Sequence, residues 1–325
     1  MSKLKRRLKK TVGVLLLLAA ALWANNTSRF TEPKGPPLLL AHRGLGQTFD
    51  LEGVENDTCT AERIHAPEHP YLENTLPSMQ AAFDAGADIV EMDLHQTSDN
   101  QLAVFHDWTL DCRTEGTGEV RDATLAQLQS LDVGYGYTAD GGRTFPFRGK
   151  GVGMIPTLDQ VLDAFPDRRL LLHLKSNDPS DGELLGNRLQ RLPPGRLDQI
   201  AVYGGNESVA ATVGQLPAVR AMSRATMVRC LGWYAATGWS GWVAPACEGV
   251  QLHIPEKIGP WLWGWPHKFV NRMDTQDTRV VVVAGSGGFS EGFDDAEAVG
   301  RLPEDFSGVV WTNRIDKVAP LLKDP

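Results

Sequence analysis

Two carboxylates one residue apart, Glu91-Met92-Asp93, stand inside an apolar run made by Ile89, Val90, Met92 and Leu94. On an extended strand residues i and i+2 share a face, so both acids point the same way. Two buried carboxylates are costly unless something compensates them, and oxygen ligands of this kind suit a divalent cation. A second strand-like run, Leu102 to His106, follows across Asp99-Asn100, a link too short for a parallel crossover. The pair is therefore expected to form a β-hairpin, and symmetric pairing about Asp99-Asn100 sets His106 opposite Asp93. A histidine beside that acid pair offers proton transfer near neutral pH. A further constellation, His42-Arg43-Gly44, closes the apolar run Leu38 to Ala41. Arg43 presents a planar fork that matches phosphate oxygens, and Gly44 lets the backbone turn sharply.

These residues need a scaffold that brings strand ends together. Short β-rich runs occur at Pro37 to Ala41, Asp88 to Leu94, Arg169 to Leu174, Gln199 to Tyr203, Ala218 to Met222, Gly249 to Ile254, Arg279 to Ala284 and Gly308 to Thr312. Helical patterns separate many of them, among them Thr75 to Ala85, Leu125 to Leu131, Leu158 to Ala164, Glu183 to Leu192 and Glu207 to Val213. Continuous apolar strands alternating with helices indicate a parallel sheet covered on both faces. The expected fold is α/β, a single (β/α)8 TIM barrel over residues 35–325 with a β-hairpin insertion after the second strand. Polar residues that directly follow an apolar strand then occupy the rim where such barrels do chemistry.

The 325 residues carry 32 Lys+Arg against 40 Asp+Glu, and six of the basic residues lie in the first ten positions. Without that segment the balance is 26 against 40, a net of −14, which excludes nucleic-acid binding by phosphate neutralisation. Behind the basic run, Val12 to Ala24 is thirteen uncharged, mostly apolar residues, short of the ~20 that span a bilayer. Residues 1–30 therefore read as a signal peptide, cleaved after Ala21 or Ala24, or as an uncleaved N-terminal membrane anchor. Either leaves the protein exported: periplasmic, secreted or tethered to the outer side of the cytoplasmic membrane. Cys59, Cys112, Cys230 and Cys247 lack CxxC spacing, and an even number in an oxidising compartment suggests disulfides rather than free thiols. Three pairings exist; sequence proximity and loop position favour Cys59 with Cys112 and Cys230 with Cys247. Trp261, Trp263 and Trp265 follow the strand Gly249 to Ile254 and are expected on the rim, as loop packing, a pocket for an apolar or choline-like group, or a membrane contact.

His42-Arg43-Gly44, Glu73-Asn74-Thr75, Glu91-Met92-Asp93, His106-Asp107 with Leu110-Asp111-Cys112-Arg113-Thr114, and Ile155-Pro156-Thr157-Leu158 occur in order. Together they resemble the glycerophosphodiester phosphodiesterase family, strongly over residues 37–175. The resemblance implies a TIM barrel, a divalent cation, most commonly Ca²⁺ or Mg²⁺, and hydrolysis of small glycerophosphodiesters to sn-glycerol 3-phosphate and an alcohol. It implies His42 and His106 as the acid/base pair, Arg43 and Lys175 as substrate ligands, Glu91 and Asp93 as metal ligands, and Glu73 as a metal-site or supporting acid. The alternatives are a lysophospholipase D or sphingomyelinase D-like activity, and a non-catalytic phosphodiester-binding protein.

The sequence departs from the family in three places. Relatives usually carry Glu-x-Lys where this chain has Leu172-His173-Leu174-Lys175, so His173 stands at an acid position. It is expected either to ligate the metal, favouring a softer ion, or only to hydrogen-bond within the rim. The stretch Leu45 to Leu72 is longer than usual and holds Cys59. The Trp-Thr-Val-Asn common late in relatives is replaced by Val283-Ala284-Gly285-Ser286, with Trp311-Thr312-Asn313 on the last strand.

Overall fold

The computed structural model describes residues 2–55, 57–288 and 291–323. Its strands are β1 (Leu38–Ala41), β2 (Ile89–Gln96), β3 (Leu102–Val104), β4 (Arg169–Leu174), β5 (Ile200–Gly204), β6 (Arg220–Met222), β7 (Gln251–Pro255), β8 (Arg279–Val283) and β9 (Val309–Thr312). Neighbours run β6-β5-β4-β2-β1-β9-β8-β7, all parallel. A bridge between Ala221 and Val250 brings β6 beside β7, so eight strands form a nearly closed barrel. All eight runs expected from the sequence become these strands.

The period of two decides what each strand residue does. Leu40, Ile89, Leu171, Ala201, Val281 and Val309 fill the barrel, while Leu39, Val90, Leu170 and Val202 pack outward against the helices. Glu91 and Asp93 follow Ile89 on the inward face, and His173 follows Leu171 there. Asp93 is level with His173 and His173 with Tyr203, so these groups stand side by side at the carboxyl end of the sheet. Two motif threonines turn out to be helix caps. Thr75 caps Leu76–Asp84 in a reciprocal pair with Ser78, and Thr157 caps Leu158–Ala164 with Gln160. Such caps are worth about 1 kcal/mol each.

The hairpin is present, but its register differs by one residue. Leu94 pairs with Val104 and His95 with Ala103, so the centre of the turn is Asp99, not the Asp99-Asn100 bond. Thr97 N–H donates to the Gln101 carbonyl, Thr97 Oγ1 accepts from Gln101 N–H, and Asn100 adopts φ 58°. A five-residue loop closed by the Thr97 hydroxyl therefore replaces a two-residue turn. His106 lies beyond the end of β3, not opposite Asp93 in the ladder.

The long connection Leu45 to Leu72 folds over the rim with its own small core, in which Ile64, Leu72, Phe105, Leu110 and Tyr137 meet. Cys59–Cys112 joins this connection to the segment after His106, and Cys230–Cys247 joins the helix Arg224–Thr237 to the turn before β7. Both expected pairings are present.

Two other expectations change. The N-terminal helix runs from Ser2 to Asn26, and its Lys5–Asn26 part is long and apolar enough to cross a membrane, because helix continues on both sides of the thirteen-residue apolar run. The tryptophan segment is not on the rim. After β7 the chain makes a short turn, Gly259–Trp261, and reaches the end of the helix Arg224–Thr237, where Trp263 Nε1 donates to the Ala235 carbonyl. There Trp265 packs on Phe269 and Phe306, and the Gly264 carbonyl accepts from Ser28 Oγ.

The Cys59–Cys112 bond spans a sequence separation of 53. Chain-entropy reasoning assigns such a loop about 4 kcal/mol. Replacing both cysteines with serine should lower the unfolding free energy in urea by an amount of that order; an unchanged midpoint would contradict this role.

Candidate active site

Arg43 and Gly44 turn the chain out of β1 through left-handed conformations, φ 57° and 78°. Gly44 is required there, since a Cβ would stand 2.6 Å from Ser78 Oγ and 2.9 Å from the Ser78 carbonyl carbon. The turn aims the Arg43 N–H at Glu91 Oε2, 3.0 Å away. Asn74, also left-handed, reciprocates with Asp93: its amide donates to Asp93 Oδ2 at 2.9 Å and its Oδ1 accepts from Asp93 N–H at 3.1 Å. The strained backbone of two motifs thus serves the two carboxylates of a third.

Glu91 and Asp93 are buried, and with His173 each offers a ligand atom within 4.8 Å of the others. Asp93 Oδ1 lies 2.7 Å from His173 Nδ1 and 3.8 Å from Lys175 Nζ, and Asp93 Oδ2 lies 3.2 Å from Arg43 Nε. Burial disfavours its charge, but Lys175 and Arg43 outweigh that and hold Asp93 well below the usual carboxylate range. Glu91 receives the Tyr203 hydroxyl on Oε1 at 2.7 Å. Burial and the neighbouring Asp93 push Glu91 up to about 8. The cluster thus lacks positive charge at Glu91, as a cation site built from carboxylates would.

Glu73 stands apart from that trio. Its Oε1 accepts from both Arg43 Nη1 and Arg113 Nη2, each at 3.0 Å. Arg113, almost fully buried, also binds Thr60 Oγ1 at 2.8 Å and reaches Asp107 Oδ2 through Nη1. Asp107 Oδ1 in turn lies 2.7 Å from His106 Nδ1. A continuous chain, His106–Asp107–Arg113–Glu73–Arg43–Asp93, therefore joins the motifs. Thr60 ties it to the long connection stapled by Cys59.

The two histidines are oriented alike. His106 directs Nδ1 to Asp107, and His42 directs Nδ1 to Asn313 Oδ1 at 2.7 Å; Asn313 is itself held by Asp294. With Nδ1 as donor in each, the Nε2 atoms carry the lone pairs, that of His42 facing Arg43 Nε at 3.1 Å. Burial first and Arg43 second lower both, His42 to about 3. Both imidazoles are neutral bases in this arrangement. Tyr203, His253 and Trp311 wall the space above the barrel core, with Tyr203 stacked on His173 at 4.1 Å and His253 5.3 Å from Trp311.

The structure thus gathers His42, Arg43, Glu91, Asp93, His106, His173 and Lys175, and places Glu73 one arginine away. Sequence reasoning gave no role to Asp107, Arg113, Asn74, Tyr203, Asn313 or Asp294. Asp107, Arg113 and Asn74 lay in the quoted motifs and were readable as partners; Tyr203, Asn313 and Asp294 reach the site only through barrel closure.

The fold and the site together define a TIM barrel with buried acids, arginine and paired histidines at the carboxyl ends of its strands. Residues 42–185 match the model of the Glycerophosphoryl diester phosphodiesterase family. A Bacillus subtilis glycerophosphodiester phosphodiesterase is 39% identical over 104 residues, 31% of this chain and 32% of its own. Human lysophospholipase D is 32% identical over 111 residues, 33% of each chain. An Oleispira antarctica phosphodiesterase solved in complex with the product sn-glycerol-3-phosphate has a TM-score of 0.53 at 19% identity, over 87% of this chain and 96% of that one. At that identity the likeness shows the shared fold. The chain spans about a third to just over half the length of the curated relatives it matches.

Burial pushes His95 down to about 4 and His253 to about 3. Between about pH 6.5 and those values the unfolded chain binds protons that the folded chain refuses, so stability rises with pH across this window and is lost on acidification. Urea unfolding at pH 7 and pH 5 should show the loss, and His253→Gln should reduce it; an equal slope in the variant would contradict a neutral, half-buried His253.

Proposed function

We propose that the protein hydrolyses glycerophosphodiesters to sn-glycerol 3-phosphate and an alcohol with the help of a divalent cation. The observation that carries this reading is the approach of Glu91, Asp93 and His173 within 4.8 Å, beside Arg43 and two oriented histidines. Glu73, Asp93 and Asp107 face three fixed cations, Arg43, Arg113 and Lys175, while burial and Asp93 raise Glu91 toward its neutral form. A divalent ion held by Glu91, Asp93 and His173 would displace that proton, leave the site net positive and neutralise the non-bridging oxygens of a singly charged diester. Hard carboxylates suit Ca²⁺ or Mg²⁺, and His173, in place of a third acid, weakens the attraction for them.

Arg43 and Lys175 are assigned to the phosphate, and Glu73 to holding Arg43 rather than the metal. His106 and His42 present Nε2 lone pairs. One imidazole takes the proton of the attacking water or hydroxyl as its oxygen bonds to phosphorus, the phosphorus–oxygen bond to the alcohol breaks, and the other imidazole, which has taken up a proton from solvent as the anionic diester binds, gives it to the leaving alkoxide. An anionic phosphate beside either ring raises its proton affinity, which lets neutral histidines act as the acid as well. Asp107 and Asn313 fix the tautomers and are positioning residues.

The N-terminal helix and two disulfides support export, with the domain either released or tethered outside the cytoplasmic membrane. The likeness to human lysophospholipase D makes lysolipids the competing substrate class.

Purified protein given glycerophosphocholine and a divalent ion should release glycerol 3-phosphate faster than it cleaves a lysophospholipid; the reverse preference favours the lipid activity, and neither product refutes catalysis. His42→Ala and His106→Ala should each cut turnover by at least ~10²-fold without unfolding the protein. Chelation should abolish activity. His173→Glu should lower and Asp93→Asn raise the metal concentration for half-maximal rate; unchanged midpoints in both would remove the metal assignment.

A further inference from the structure

Barrel helices begin at the carboxyl ends of the strands and return to the amino ends. The helix Arg224–Thr237 follows β6 in this sense, so Thr237 and Trp239 lie at the end of the barrel opposite the acids. The N-terminal helix is rooted there. Asn25 and Asn26 donate their side-chain amides to the Trp239 carbonyl at 3.0 and 2.8 Å. Arg272 donates to the Asn25 carbonyl at 2.7 Å, and Lys268 to the Ala24 carbonyl at 2.7 Å. These cations satisfy final helical carbonyls and oppose the negative end of the helix dipole. The helix is continuous through Ala21 and Ala24, where a signal peptide would be cut. Its Lys5–Asn26 part has 22 residues and lies outside the domain. At 1.5 Å per residue it is about 33 Å long, close to the ~30 Å of a bilayer core.

Tryptophans surround this root. Trp23, Trp233, Trp239, Trp242, Trp261 and Trp263 are each more than a third exposed, and Trp261 is 85% exposed. Leu22, Trp23, Trp261 and Trp263 line one groove between the helix and the loop after β7. The indole N–H groups of Trp239 and Trp263 are turned back to the Ala236 and Ala235 carbonyls, which leaves ring surface facing outward. Exposed aromatic patches mark interaction surfaces, and tryptophan at the end of a bilayer-length helix is the pattern of membrane interfaces. With Lys and Arg at the far end of the helix, that root lies on the outer side.

We propose that the helix is retained as an anchor and that these tryptophans form a collar seating the domain in the headgroup layer of the outer leaflet, its active-site mouth open to water. This does not depend on the catalytic reading, because it is read by fluorescence rather than turnover. The full chain is reconstituted in phosphatidylcholine/phosphatidylglycerol vesicles whose acyl chains carry bromine near the headgroup. A variant with Trp233→Phe, Trp239→Phe, Trp242→Phe and Trp261→Phe stays anchored by its helix. The collar predicts that the quenchable tryptophan signal falls at least about twofold in this variant, since interfacial rings sit within reach of the bromines. An equal quenched fraction in the two proteins overturns the collar. Sequencing the N-terminus of the protein from the producing cell's membrane fraction should find the residues before Ala21; a start after Ala21 or Ala24 overturns the anchor.

Discussion

One carboxylate oxygen, Glu73 Oε1, is shared by two buried arginines, and much of the site depends on it. Removing water from guanidinium groups is expensive, and mutual attraction repays the cost only when each charge meets an opposite one with good geometry. Here charges alternate along Asp107, Arg113, Glu73, Arg43 and Asp93, so each arginine lies between two acids. The consequence reaches both ends of the chain: Asp107 holds Arg113 through one oxygen and His106 through the other, and Arg43 is held between Glu73 and Asp93. Glu91 is the acid that the alternation leaves short of a cationic partner, and burial with the neighbouring Asp93 pushes its carboxyl up.

The barrel was legible because its strands are continuous apolar runs and its inward residues repeat every second position. The acids were legible for the same reason: Ile89, Glu91 and Asp93 share one face. The hairpin register was not, because it turns on the Thr97 hydroxyl and a left-handed Asn100. Those local bonds replace a two-residue turn with a five-residue loop, and sequence symmetry carries no trace of them. Asn313 and Tyr203 were beyond reach for another reason. They approach His42 and Glu91 only when distant strands are brought round, and nothing within a few residues of either announces it. Glu73 was read as a metal-site or supporting acid; motif order could not show that one of its oxygens would serve both Arg43 and Arg113.

Features outside the barrel support it from both ends. The long connection over the rim is ordered by a small core and a disulfide, and Thr60, one residue after Cys59, reaches Arg113. The insertion therefore supports the charge chain from above. At the opposite end the helix root is held by Lys268 and Arg272, cations separate from the Arg43 and Arg113 of the charge chain.

The most direct test of the charge chain is a double-mutant cycle of unfolding free energy with Glu73→Gln and Arg113→Met. Breaking a buried pair from one side strands a charge and should cost about 3 kcal/mol or more in each single variant. Removing both partners together should cost clearly less than the sum, with a coupling of at least about 1 kcal/mol. Additive losses, with no coupling beyond error, would contradict the account, because the two side chains would then be buried side by side without depending on each other.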